Sequence, residues 1–207
     1  MVEKIERQRP KERDRFERRT NFEAVEENLT SEQALLEASR CLNCKNARCK
    51  TGCPVSIDIP SFIKEVKEGN LQAAGDIIRR SSMLPSVCGR VCPQEKQCEG
   101  NCILGLKGLP VAIGALERYV GDNTSAVEPK IVPNGMKVAI IGSGCAGMSA
   151  AADLRGAGFD VTVFEALHEL GGVLRYGIPP FRLPRTVLDR AIESLKKMAL
   201  NLKKMLL

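Results

Sequence analysis

The sequence predicts two unlike parts: a small, loop-rich helical domain stapled through cysteine, then an α/β unit built strand–helix–strand. Three observations predict this. Eight of the nine cysteines fall in two runs before residue 103. The apolar pattern has a helical period between residues 30 and 120 and changes at residue 136 to short apolar runs of strand length. A G-x-G-x-x-G segment stands between two of those later runs.

Taken in order, residues 1–29 read as a partly helical arm without a clean apolar face. Thr30-Ser31-Glu32-Gln33 matches a capping box and opens a helix with Ala34, Leu35, Ala38 and Leu42 on one side, delivering Cys41 at its end. Pro60 suits the first turn of a helix that carries Phe62, Ile63 and Val66 inward and stops at Gly69. Asn70 is placed to cap the next helix, with Leu71, Ala74, Ile77 and Ile78 inward, and Pro85 breaks that pattern. Pro110 starts a last short helix through Val111, Ile113, Leu116, Glu117 and Tyr119. Residues 121–135 are rich in turn formers and read as a linker between a domain at 1–120 and one at 136–207. Met136-Lys137-Val138-Ala139-Ile140-Ile141 reads as a buried strand, 148–157 as a helix stopped by Gly158, and Phe159 to Phe164 as a second strand ending in Glu165. Residues 185–198 form an amphipathic helix with Val187, Leu188, Ile192, Leu195 and Met198 on one face, and a further strand begins near Leu200-Asn201-Leu202.

The first cysteine run is Cys41, Cys44, Cys49 and Cys53-Pro54, at spacing C-x2-C-x4-C-x3-C. The second is Cys88, Cys92-Pro93, Cys98 and Cys102. Two groups of four, each with a Cys-Pro step, point to two iron–sulfur clusters. A disulfide framework would need an oxidising compartment. The N-terminus has no apolar signal region and the cysteine total is odd. Structural zinc takes two short pairs across a long spacer, whereas here the thiols crowd short loops. Unligated buried thiols conflict with Lys45, Asn46, Arg48 and Lys50 standing between them. Cys145 stands apart. A small domain with this many loops needs inorganic staples, because its own apolar burial is modest.

Composition narrows the function. The chain has 207 residues, 43% hydrophobic and 4% aromatic, with one histidine, His168, which excludes a His-rich metal site and is expected on a surface loop. The formal charge is +6, but basic and acidic residues interleave, as in Lys11-Glu12-Arg13-Asp14-Arg15, so no nucleic-acid patch is expected. No apolar run approaches membrane-spanning length, and the cytoplasm, where thiols stay reduced, is the expected compartment.

The glycine-rich turn is weak evidence alone but gains from its context of strand before, helix after and an acid about twenty residues on. Gly142 makes the tight turn, Gly144 lets backbone approach a pyrophosphate, and Gly147 lets helix and strand pack. The helix N-terminus offers N–H groups to phosphate. Glu165 is expected to accept from an adenosine ribose and to repel a 2′-phosphate. The bland alternative is a glycine turn in an ordinary βαβ unit.

With both halves in view, the chain resembles the small (beta) subunit of NADPH-dependent glutamate synthase. It is also similar to the flavin subunit of ferredoxin–NADP transhydrogenase and the N-terminal part of dihydropyrimidine dehydrogenase. The pieces that carry this are Arg40-Cys41-Leu42-Asn43-Cys44, Gly52-Cys53-Pro54-Val55, Cys88-Gly89-Arg90-Val91-Cys92-Pro93 and the stretch from Gly171-Gly172-Val173-Leu174 to Pro184. The resemblance implies an α-helical iron–sulfur domain followed by a truncated α/β Rossmann-like FAD-binding domain. It implies crossed ligation: Cys41, Cys44, Cys49 and Cys102 on one 4Fe–4S cluster, and Cys53, Cys92, Cys98 and Glu117 on the other, with Cys88 a neighbour rather than a ligand. It implies FAD at Gly142, Ser143, Gly144, Cys145, Ala146, Gly147, Glu165, Gly172 and Leu174. Electrons would come from NADPH, bound by a domain beyond this chain, and leave to a partner, the large glutamate synthase subunit or another electron-accepting redox protein. The alternative is a non-catalytic electron-transfer or assembly module.

Two departures stand out. Where the family usually has Pro-Ala after the second glycine, this chain has Cys145-Ala146, read either as a redox-sensitive thiol at a helix N-terminus or as a small filler. The chain also stops after the first βαβ unit and its extension, so it is expected to be a fragment or truncated product, inactive as an enzyme by itself.

Overall fold

A computed structural model describes residues 5–126, 130–198 and 200–204. The chain divides into two compact units. One holds Met1–Asn21 with Val25–Ser125; the other holds Phe22–Ala24 with Ala126–Leu207.

The first unit is helical: α1 Arg15–Arg18, α2 Ser31–Ser39, α3 Arg48–Thr51, α4 Ile59–Lys67, α5 Leu71–Arg79, α6 Pro85–Val91 and α7 Ile113–Asn123, with 3₁₀ turns at Gln94–Lys96 and Ile103–Leu106. The capping box forms at α2: the Thr30 side chain accepts from Gln33 N at 3.2 Å, and the Gln33 side chain accepts from Thr30 N at 3.0 Å. The inward face of α2 differs from the expectation. Ala34, Glu37 and Ala38 are buried, while Leu35 and Leu42 are exposed. Helical spacing from Ala34 passes through Glu37, Ala38 and Cys41, so the charged residue follows the buried stripe and the leucines turn outward.

Pro60 lies in the first turn of α4, whose Phe62, Ile63 and Val66 are buried as expected, and Gly69 follows at φ +80°. Asn70 precedes α5 but does not cap it; its amide donates to Glu65. Pro85, expected only to break a pattern, opens α6, because proline has no N–H to lose at a first turn. The last helix reaches Asn123, into the stretch expected to be linker. Gly121 explains its reach: a Cβ there would lie 2.5 Å from Ser86 N, so the glycine lets α7 lie against α6. Gly89 serves the same contact from α6, where a Cβ would lie 2.5 Å from Arg118 N. Arg90 on α6 grips Asp122 on α7 through two hydrogen bonds of 2.8 and 2.6 Å. The core of this unit gathers Leu29, Phe62, Ile63, Ile78, Leu116 and Val120, and Cys41, Cys49, Cys53 and Cys102 pack against it.

The second unit contains a parallel sheet in the order β1-β2-β3: β1 Lys137–Ile141, β2 Asp160–Glu165 and β3 Asn201–Lys204. Helix α8 Cys145–Gly156 joins β1 to β2; α9 Val173–Tyr176 and α10 Arg185–Lys197 precede β3. The inward face of α10 is Val187, Leu188, Ile192 and Leu195, with Met198 just beyond it, as its period predicts. The first strand is not the buried run expected. Val138 and Ile140 are half-buried, and Ile141 is 83% exposed. Among the described residues β1 pairs only with β2, so one edge and part of its face meet solvent. The central strand β2 carries the burial, through Val161 and Val163. His168 is exposed, its ring edge-on to Tyr176.

Candidate iron–sulfur and dinucleotide sites

The first cysteine run leaves α2, turns through α3 and reaches α4. This path folds three of its thiols around a cavity of about 70 Å³. Cys41, Cys44, Cys49 and Cys102 all line that cavity, with Ile59, Ile63 and Ile113 as its apolar floor. Cys102 comes from the far end of the second run. The cavity is several times what one water needs, about 10–15 Å³. Burial pushes the Cys49 thiol up to about 11, helped by the neighbouring charges of Cys102 and Cys41, and burial also raises Cys41. Crowded, half-buried sulfurs of this kind favour neutral thiols until a cation joins them.

Cys53, Cys88, Cys92 and Cys98 gather near Glu117 of α7. Cys92 at the end of α6 is held below the usual thiol range, chiefly by a hydrogen bond from Cys88, while burial and the nearby charges of Glu117, Cys98 and Cys53 oppose this. Burial pushes Cys98 up to about 12, aided by Glu99, Glu117 and Cys53. Cys88 is raised far more, first by its bond to Cys92 and then by burial, and its sulfur lies 3.7 Å from Ser82 Oγ. Glu117 is 6% exposed, its Oε1 has no hydrogen-bond partner, and burial lifts its carboxyl well above the usual range. An orphaned buried carboxylate oxygen costs about 1–3 kcal/mol unless something completes it. Cys53, Cys92, Cys98 and Glu117 are therefore neighbours, with an oxygen donor open.

All nine cysteines are free. Among the described residues no three Cys, His, Asp or Glu side chains close on a point as the ligands of one ion do.

Because iron binds thiolate, each raised thiol must release a proton on loading. Apparent iron affinity is therefore expected to rise with pH between 7 and 9, read by metal competition at fixed sulfide. The apo fold moves the opposite way. Thiols raised above their unfolded value stabilise it below about pH 9 and withdraw that stability as pH climbs through the folded values of Cys49 and Cys98.

In the second unit the glycine turn and the start of α8 form an open cradle. A Cβ at Gly142 or Gly144 would meet nothing within 4 Å, and the first turn of α8 presents its N–H groups there. Cys145 and Ala146, at the start of α8, are exposed, and Leu174 on α9 is buried. Gly172 lies on the turn itself, where a Cβ would be 2.9 Å from Gly144 Cα. Ser143 is not open to a ligand: it is 1% exposed, its N–H and Oγ–H both donate to Glu165 Oε2, and its Oγ accepts from Gly171 N at 3.0 Å. Glu165 is 5% exposed and also accepts from Leu167 N at 2.8 Å. Burial would raise its carboxyl, but the bonds from Ser143, Leu167 and Ala166 outweigh that and hold it low. Its charge therefore braces the loop from below before any ribose reaches it.

Comparison with known proteins decides the family. Residues 18–128 match the family described as dihydropyrimidine dehydrogenase domain II, 4Fe–4S cluster. The chain belongs to that family. Residues 140–205 match an NAD(P)-binding Rossmann-like domain. The chain is 41% identical over 191 residues to a putative oxidoreductase, UacF, of Escherichia coli K12, covering 89% of this chain and 30% of that protein. It is 37% identical over 193 residues to the glutamate synthase [NADPH] small chain of Azospirillum brasilense, covering 90% and 40%. With the NAD-dependent dihydropyrimidine dehydrogenase subunit PreT of E. coli K12 it shares 42% over 179 residues, covering 84% and 43%. The chain thus spans less than half the length of these relatives. It carries an iron–sulfur domain followed by a Rossmann-like domain with a small parallel sheet. Among the described residues no helix is long and apolar enough to cross a membrane.

Three features of these sites leave little or no mark in the sequence. Glu37, 0% exposed, accepts from Gln8 N, Ala112 N and Arg40; a charge on an otherwise apolar helical stripe was its only signal. Glu99 and the Ser143–Glu165 bond had none, because their partners are remote in sequence.

Proposed function

We propose that this chain holds two 4Fe–4S clusters and the phosphate end of FAD, and that within the intact protein it carries electrons from NADPH to a redox partner. Cys41, Cys44, Cys49 and Cys102 hold the first cluster; Cys53, Cys92, Cys98 and Glu117 hold the second, with Cys88 beside it. The observation that carries this reading is Cys102 lining one cavity with three thiols of the first run. The partnerless Oε1 of Glu117 supports an oxygen ligand on the second cluster.

When bound, FAD would turn the two-electron hydride into single electrons, the unit in which iron–sulfur clusters carry charge. The chain's own groups hold and orient. Gly142, Gly144, Cys145, Ala146 and Gly147 offer backbone to the pyrophosphate. Ser143 and Glu165 hold that loop in shape, and Gly172 and Leu174 close the turn above it. NADPH belongs to a domain outside residues 1–207, and the partner is the large glutamate synthase subunit or another electron-accepting redox protein. Exposed Leu42 and Ile103 at the cavity, with Lys45 and Arg48 close in sequence, support docking of that partner near the first cluster. The cytoplasm is the compartment proposed.

Anaerobic purification with iron, sulfide and flavin quantified together tests this. About eight iron and eight sulfide per chain, with flavin retained, are expected. Zinc without sulfide sinks the reading.

A further inference from the structure

We propose that Glu99 is a positioning residue for the second cluster: its carboxylate sets the separation between two of that cluster's donors, Cys98 and Glu117. The inference rests on the ligand reading above and adds a residue to it.

Glu99 follows Cys98 directly and is 7% exposed. Its Oε1 accepts from Gly114 N at 3.0 Å, in the first turn of α7. Helix α7 needs such help. Ala112 stands at its N-cap and has no side-chain oxygen, so the free N–H groups of the first turn must find acceptors elsewhere. Glu99 takes Gly114, and Glu37 takes Ala112 N at 2.7 Å. Gly114 and Glu117 are three residues apart on α7, hence neighbours on its surface. One carboxylate thus ties the backbone beside Cys98 to the turn that presents Glu117.

The other side of Glu99 is closed too. Arg7 donates to Oε2 at 2.6 Å, which compensates a charge that would otherwise be costly to bury. The loop is stiffened around it. Glu99 N donates to Gln94 O at 2.9 Å, and the Gln94 amide donates to the carbonyls of Cys88 and Gly89 at 3.2 Å. A Cβ on Gly114 would fall 2.5 Å from the Gln94 side chain, so the loop lies directly on α7. Groups that orient a metal's ligands commonly carry about 10–100-fold of its affinity.

The test uses the anaerobically purified chain as wild type, Glu99→Ala, Glu99→Gln and Arg7→Met, with iron and sulfide content, electron paramagnetic resonance of the reduced protein, and midpoint potentials. Glu99→Ala is expected to lose the second cluster, or to release its iron to a chelator about 10–100-fold more readily, while the first cluster's signal persists. Glu99→Gln keeps an acceptor for Gly114 and is expected to retain both clusters with the second cluster's potential shifted. Arg7→Met leaves the Gly114 bond and should also retain both. The inference is overturned if Glu99→Ala keeps both clusters at unchanged potentials, or if Glu99→Ala and Glu99→Gln alike strip the first cluster along with the second, which marks a general folding role. Wild-type chain without iron overturns the ligand reading itself, and this inference with it.

Discussion

Cys102→Ala is expected to remove the cluster held by the first cysteine run. Iron falls from about eight to about four per chain, and one of two resonance signals disappears on reduction. The reason is spatial: Cys102, a thiol of the second run, lines one cavity with Cys41, Cys44 and Cys49 of the first. The companion variant Cys53→Ala should remove the other signal, although Cys53 belongs by sequence to the first run and its electrostatic neighbours are Cys92 and Cys98. Cys145→Ser, at the exposed start of α8, should leave iron unchanged. If Cys102→Ala and Cys98→Ala erase the same signal and spare the other, the crossed arrangement is wrong and each run holds its own cluster.

The second large effect is expected at Gly147. A Cβ there would lie 2.0 Å from the carbonyl oxygen of Gly142, backbone that cannot swing aside as a side chain would. Gly142 sits at φ +92°, and its N–H donates to Phe164 O at 2.7 Å, so pushing it away pulls the loop from the end of β2. Gly147→Ala should therefore destabilise the second unit by about 1–3 kcal/mol and abolish flavin retention, read by thermal melting and bound-flavin fluorescence. Gly156→Ala is the control. Nothing lies within 4 Å of its added Cβ, and alanine in place of helical glycine stabilises by up to about 1 kcal/mol. Equal flavin retention by both variants would remove the cradle from the account.

Much of this was legible in residue order because the causes are local. The capping box at Thr30, the proline entry to α4, the inward faces of α4 and α10, and the strand–glycine–helix grammar after residue 136 depend on neighbours a few positions apart. The errors have the same explanation. An apolar pattern alone turns Leu35 and Leu42 inward, but the side chains sheltered on α2 are Ala34, Glu37 and Ala38, with the Glu37 carboxylate held by Ala112 N. The apolar residues of β1 suggest a buried strand, but whether an apolar strand is covered depends on what packs beside it.

Residue order by itself determined that thiols would stand in two groups and that a dinucleotide-type turn would follow, since spacing and short-range patterning encode both. Only the tertiary structure decided that Cys102 shares a cavity with the first run, that Glu117 is left with an open oxygen, and that Glu37 and Glu99 cap α7 from afar. Those pairings join residues far apart in the chain. They are selected when burial leaves polar and sulfur groups no partner but one another, a condition that exists only after the core has closed.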